Sequence, residues 1–101
     1  MALESLHEPI GEVSAHTREM RRAVASLIEE LEAAHWYQQR IDASHDAELK
    51  AILAHNRDEE KEHAAMLLEW IRRNDETQAK ELRNYLFTTG SIADHEEEKT
   101  K

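Results

Sequence analysis

AELKAILAHNRDEEKEHAAMLLEWIRR, residues 47–73, holds the pattern that decides the architecture. Leu49, Ile52, Leu53, Asn56, Glu60, His63, Leu67, Trp70 and Ile71 recur at steps of three, one, three, four, three, four, three and one. Those steps trace one stripe of an α-helix. The stripe is apolar at both ends, but Asn56, Glu60 and His63 interrupt it in the middle. A helix that needed only a core would be apolar there. A buried carboxylate without a partner is costly or takes up a proton, so something must compensate Glu60.

Working outward, Asp42-Ala43-Ser44-His45-Asp46 is a cluster of turn and capping residues, with Ser44 or Asp46 as the expected N-cap. Upstream, Pro9 is expected at the first position of a helix that runs to about Arg40. Met20, Val24, Leu27, Leu31 and Ala34 share one face of it. Downstream, Asn74-Asp75 offers a stop and a new cap. A shorter helix then carries Ala79, Leu82 and Leu86 on one side, and Gly90 is expected to end it. Residues 1–90 read as a helical domain. Residues 91–101, SIADHEEEKTK, are charged, lack periodicity and are expected to form a disordered tail. The short link between the long helices implies an antiparallel hairpin. The expected fold class is all-α: a two-helix hairpin plus a short C-terminal helix. Two helices leave much of each apolar stripe in water, so a second copy is expected to complete a four-helix bundle.

The formal net charge is −9, from 22 acidic and 13 basic residues. That balance argues against nucleic acid and against an anionic membrane surface, and it favours cations. The chain has no Cys, which removes disulfides, iron–sulfur clusters, thiolate zinc sites and cysteine nucleophiles. Seven His leave imidazole and carboxylate as the available metal ligands. No run is long and apolar enough for a signal peptide or a membrane span, so a cytoplasmic protein is expected.

Glu60 and His63 form Glu-x-x-His, one helical turn apart and within reach of one ion. On the first helix Glu30 lies at the edge of the apolar stripe, with Tyr37 two turns later on the same edge. An antiparallel hairpin can set Glu30 opposite Glu60 and His63. Ferritin-like di-iron sites take one Glu from each of two helices and Glu-x-x-His from each of the other two. One chain holds half of that set, and a two-fold dimer supplies the rest. Two copies each of Glu30 and Glu60 would balance the four positive charges of two ferrous ions. The competing reading makes Glu59, Glu60 and Glu62 a solvated face, and His63 a core histidine bonded to Asn56 or a carbonyl.

The runs EELEAAHWYQQRIDAS (29–44), LKAILAHNRDEEKEHAAMLLEWIRRND (49–75) and RNYLFTTG (83–90) resemble the encapsulated ferritins. The likeness covers most of residues 7–90. It implies a two-helix hairpin with a short third helix, pairing into a four-helix bundle, and a decameric ring of dimers. It implies a ferroxidase that oxidises Fe(II) and delivers iron for mineral storage inside an encapsulin shell, which would place the protein in that nanocompartment. Position by position, it makes Glu30, Glu60 and His63 ligands of the di-iron centre and Tyr37 a tyrosine beside it. It makes Glu29 and Glu32, with Trp36 near them, a second metal position that handles iron on its way in. Without the resemblance these three read as surface charges and a contact residue. Calcium or zinc are the ions expected to substitute for iron at these positions in crystals. The family usually ends in a partly apolar targeting peptide, whereas here Ile92 is the only large apolar residue after Gly90.

Three functions therefore compete. The first is a ferroxidase, with two irons held roughly 3.5–4 Å apart so that one oxidant spans both. The second is a metal-binding assembly module in which ions join dimers without significant turnover. The third is a metal-free helical adaptor, with Glu60 paired to an Arg or Lys across an interface.

Overall fold

The computed structural model describes residues 6–100; residues 1–5 of the expected helical domain and residue 101 of the expected tail lie outside the described residues. Among the described residues, a 3-10 turn at Ile10–Glu12 precedes α1 (Ala15–Ala43), α2 (Ala47–Asn74), α3 (Glu76–Tyr85) and α4 (Ile92–Thr100), with no strand. The fold is all-α, a long hairpin with short helices appended, as the periodicity predicts.

Pro9 does not open the long helix. With φ −57° and ψ 135° it caps the 3-10 turn, and the chain stays extended through Val13 and Ser14. Ser14 is the N-cap of α1; its Oγ accepts from the Thr17 N–H at 3.1 Å. Arg18 ties the turn to the helix, donating to the carbonyls of Ile10 and Val13 at 3.1 and 2.9 Å.

Only Ser44, His45 and Asp46 separate α1 from α2. Asp46, one of the two caps expected, accepts from the Leu49 N–H at 2.9 Å. So short a link folds α2 back along α1, and the two helices pack on each other. Near the end of α2, Glu69 accepts two hydrogen bonds from Arg72 and one from Arg73, all at 2.7 Å. These guanidinium groups, Arg72 foremost, pull its carboxyl down to about 2. Asp75 both closes α2 and caps α3, accepting from the Gln78 N–H at 2.9 Å. With one residue between them, α3 turns sharply and packs against α2.

α3 ends at Tyr85, five residues before Gly90. Phe87 adopts φ 62°, a left-handed conformation that a helix cannot continue through, and Gly90 at φ 82° completes the bend. The chain beyond Gly90 is helical over Ile92–Thr100, where the sequence reading expects a disordered tail. Ser91 accounts for the difference. Its Oγ accepts from the Asp94 N–H at 3.3 Å and its carbonyl from the His95 N–H at 3.2 Å. The Tyr85 and His95 rings meet edge to face, 5.2 Å between centroids, and hold α4 against α3.

The buried core is thin. Among the described residues it consists of Ala23 and Ala34 from α1, Ala64 and Ile71 from α2, and Ala79 from α3. Small residues let the two long helices approach closely, but they bury little area. Larger apolar side chains stay half in water: Leu31 at 53% exposed, Leu49 at 47%, Ile52 at 52%. Each leaves unrealised about 1 kcal/mol of burial. The chain is a slab of 48 × 42 × 20 Å, one layer of helices with apolar stripes not covered within it.

Candidate metal centre

α1 and α2 run antiparallel, so positions with a near-constant number sum face each other. Glu30 of α1 meets the Glu60–His63 turn of α2 near the middle of the hairpin. His63 Nδ1 lies 3.4 Å from Glu30 Oε2 and 3.6 Å from Glu60 Oε2. One donor atom from each of the three residues fits within a 4.8 Å span. Atoms bound at about 2.0–2.2 Å to a common ion lie within about 4.4 Å of one another, so small side-chain rotations bring all three onto one cation.

The electrostatics are those of a site short of positive charge. Glu30 Oε2 is buried and has no hydrogen-bond partner among the described residues. The adjacent Glu60 carboxyl, and then loss of solvent, raise the Glu30 carboxyl above its ordinary range. Desolvation acts to lower the His63 imidazole, but the combined pull of Glu30 and Glu60 outweighs it, and His63 titrates above its usual value. Both shifts favour the protonated forms, and a divalent cation held by the same groups would compete with those protons. Hard carboxylate oxygens with an imidazole suit first-row divalent metals.

Glu29, Glu32 and Trp36, which without the resemblance read as surface charges and a contact residue, lie beside Glu30 and Glu60. Together with Glu30, Ala33 and Glu60 they line one open depression of about 360 Å³. Neighbouring residues on a helix differ by about 100°, so one groove beside α1 can carry both Glu29 and Glu30 on its walls. Trp36 is 49% exposed at its edge. Tyr37 does not line the depression; its ring lies 5.3 Å from the Arg40 guanidinium, in cation–π contact.

A second group was not singled out by sequence reasoning, where Glu59 and Glu62 enter only as part of the solvated face of the competing reading. Glu59, Glu62 and His63 also bring donor atoms within 4.8 Å. Glu59 lies 3.3 Å from His55 Nε2 and 3.9 Å from His63 Nε2. The imidazole of His63 thus faces carboxylates with both nitrogens: Nδ1 towards Glu30 and Glu60, Nε2 towards Glu59. A carboxylate behind a metal-binding histidine fixes its ring and raises its basicity. The four-residue spacings His55–Glu59 and Glu59–His63 were the available signal.

A family model described as EncFtn-like matches residues 5–89. The chain belongs to the EncFtn-like family. It is similar to the encapsulated ferritin-like protein of Rhodospirillum rubrum, 62% identical over 88 residues, or 87% of this chain and 63% of that protein. It is also similar to an encapsulin nanocompartment cargo protein of Myxococcus xanthus, 47% identical over 62 residues, or 60% of this chain and 48% of that one. The chain spans less than two thirds of the length of either relative. A crystal structure of a protein from Nitrosomonas europaea superposes with a TM-score of 0.84 at 63% identity, covering 89% of this chain and 99% of the other. The EncFtn-like hairpin and its carboxylate–histidine group therefore occur together here. Among the described residues no helix is long and apolar enough to cross a membrane.

Proposed function

We propose that this chain is a ferroxidase whose di-iron centre is completed by a second copy across a homodimer interface. The observation that carries this reading is the buried, unpartnered Oε2 of Glu30 beside Glu60 and His63. One chain offers three ligand residues, and a two-fold pair of chains doubles the set to the number that a di-iron site needs. The half-exposed Leu31, Leu49 and Ile52 supply an apolar reason for two hairpins to meet.

In this reading Fe(II) is the substrate. Two ferrous ions give one electron each, and those two electrons with two protons convert one O2 to hydrogen peroxide. Glu30, Glu60 and His63 bind and orient the ions, and a proton held on Glu30 or His63 is released as the cations arrive. The carboxylates favour the ferric product because its higher charge binds hard anionic oxygen more strongly. Tyr37, as the resemblance implies, is the tyrosine that would stand beside the completed centre. Glu29 and Glu32 attract iron, and Trp36 limits access. Dimers assemble into a decameric ring, and the ferric product passes to mineral storage in an encapsulin shell within the cytoplasm. The names of the Rhodospirillum and Myxococcus relatives support the encapsulated location.

The test is anaerobic titration with Fe(II) followed by admission of air. Rapid oxidation is expected. Binding without oxidation would favour the assembly-module reading, and neither would favour the metal-free adaptor.

A further inference from the structure

Arg57 stands three residues before Glu60 on α2, the spacing at which a helical Arg reaches a Glu. An arginine there is a built-in competitor for the metal centre. Its guanidinium could satisfy Glu60 and exclude a cation. Among the described residues, no hydrogen bond or ion pair joins the two. Arg57 points elsewhere although its side chain is only 23% exposed. Its Nη1 donates across the hairpin to Gln38 Oε1 at 2.8 Å, and its Nε donates to Asp58 Oδ1 at 2.9 Å. Gln38 is itself fixed, since its Nε2 donates to Asp42 Oδ1 at 3.0 Å and leaves Oε1 to face Arg57.

We propose that Gln38 and Asp58 form a latch that holds the Arg57 guanidinium off the Glu60 carboxylate and keeps the Glu30–Glu60–His63 group open to a divalent cation. Gln38 and Asp58 are positioning residues: they touch no metal and act through Arg57. The inference rests on the metal-site reading above. Geometry favours the latched state, because Gln38 and Asp58 approach the guanidinium from two sides with hydrogen bonds of normal length. Removing one of them leaves Arg57 with a free donor and a carboxylate one turn away.

A double-mutant cycle on the full chain tests the latch, with Fe(II) affinity measured by calorimetry under argon. Heat lost on His63→Ala defines the site. Gln38→Leu changes no charge and should weaken Fe(II) binding about three- to tenfold, the scale of a partly exposed ion pair. Arg57→Gln in the unaltered background should change affinity by less than about twofold, whereas in the Gln38→Leu background it should restore it. Asp58→Asn should behave as Gln38→Leu does, with the same rescue. Wild-type affinity in Gln38→Leu would overturn the latch. So would an equal effect of Arg57→Gln in both backgrounds, which is what loss of a distant positive charge alone produces. If the wild-type chain shows no His63-dependent Fe(II) binding at all, the metal-site reading fails and the latch fails with it.

Discussion

The Oε2 of Glu30, on α1, and the Nδ1 of His63, on α2, stand 3.4 Å apart across the hairpin, yet Oε2 has no hydrogen-bond partner among the described residues. At that distance the contact is longer than a normal N–H···O bond. A carboxylate oxygen buried in this way is ordinarily costly to a fold. It is tolerable where a ligand arrives to satisfy it.

The first prediction separates chemistry from folding. Glu60→Ala and His63→Ala should each lower the rate of Fe(II) oxidation by more than about 100-fold, beyond the usual effect of losing an outer-shell partner. Far-UV circular dichroism should stay near wild type, because Ala favours helix at both positions. Wild-type rates in either variant would remove these residues from the site.

Zinc should block oxidation when added at one equivalent per site. It binds nitrogen and oxygen ligands more tightly than ferrous iron does and has no redox chemistry. Absorbance of the ferric product, followed with and without Zn(II), is the measurement.

The pH dependence follows from the raised Glu30 and His63. In the metal-free protein a group whose folded pKa lies above its unfolded value stabilises the fold at pH below the unfolded value. That contribution is lost as pH rises through the folded value. For Glu30 the loss begins above its ordinary 4.5 and for His63 above 6.5. Glu30→Gln, which keeps a neutral side chain, should therefore gain stability relative to wild type as pH rises. Thermal melts in chelator across pH 4 to 8 will read the difference. A constant difference would mean that Glu30 is not held protonated by its surroundings. Metal affinity should move the other way and rise with pH, with proton release on binding.

Assembly should depend on metal. In the proposed dimer, two copies each of Glu30 and Glu60 face one axis and repel when empty, and divalent ions turn that repulsion into bridging. Native mass spectrometry should find metal-free protein enriched in smaller species and Fe(II) driving it towards the ring. Identical mass distributions in both conditions would count against a shared centre.

Iron delivery provides the last prediction. Because Glu29 and Glu32 line the same depression as Glu30 and Glu60, their joint replacement by Ala should slow oxidation at low Fe(II) by about tenfold, the lower end of electrostatic steering. The curves should converge at saturating iron, since the ligands remain. Trp36→Ala should accelerate oxidation by opening the depression. Stopped-flow progress curves over a range of Fe(II) concentrations are the test. Superimposable curves for all variants would reduce these residues to surface and packing roles.

Much of this protein is determined by its sequence alone. The intervals along residues 47–73 fix a long helix, because side chains three and four apart must share a face. The few residues between Arg40 and Ala47 fix an antiparallel hairpin, because so short a link cannot carry the chain elsewhere. The polar interruption at Asn56, Glu60 and His63 points to the candidate centre. The tertiary structure decided what spacing cannot encode. Pro9 caps a 3-10 turn because Arg18 binds the carbonyls of Ile10 and Val13. α3 stops at Tyr85 because Phe87 turns left-handed, and the acidic tail becomes helical on the Ser91 cap and the Tyr85–His95 contact. Cross-helix relationships also had to be seen: the orphaned oxygen of Glu30, the depression shared by Glu29, Glu32 and Trp36 with the inner carboxylates, and the hold of Gln38 on Arg57. Periodicity gives the face on which a residue lies along its own helix. The axial offset and rotation between two helices come from packing, and here the side chains buried along the hairpin include the small ones of Ala23, Ala34 and Ala64.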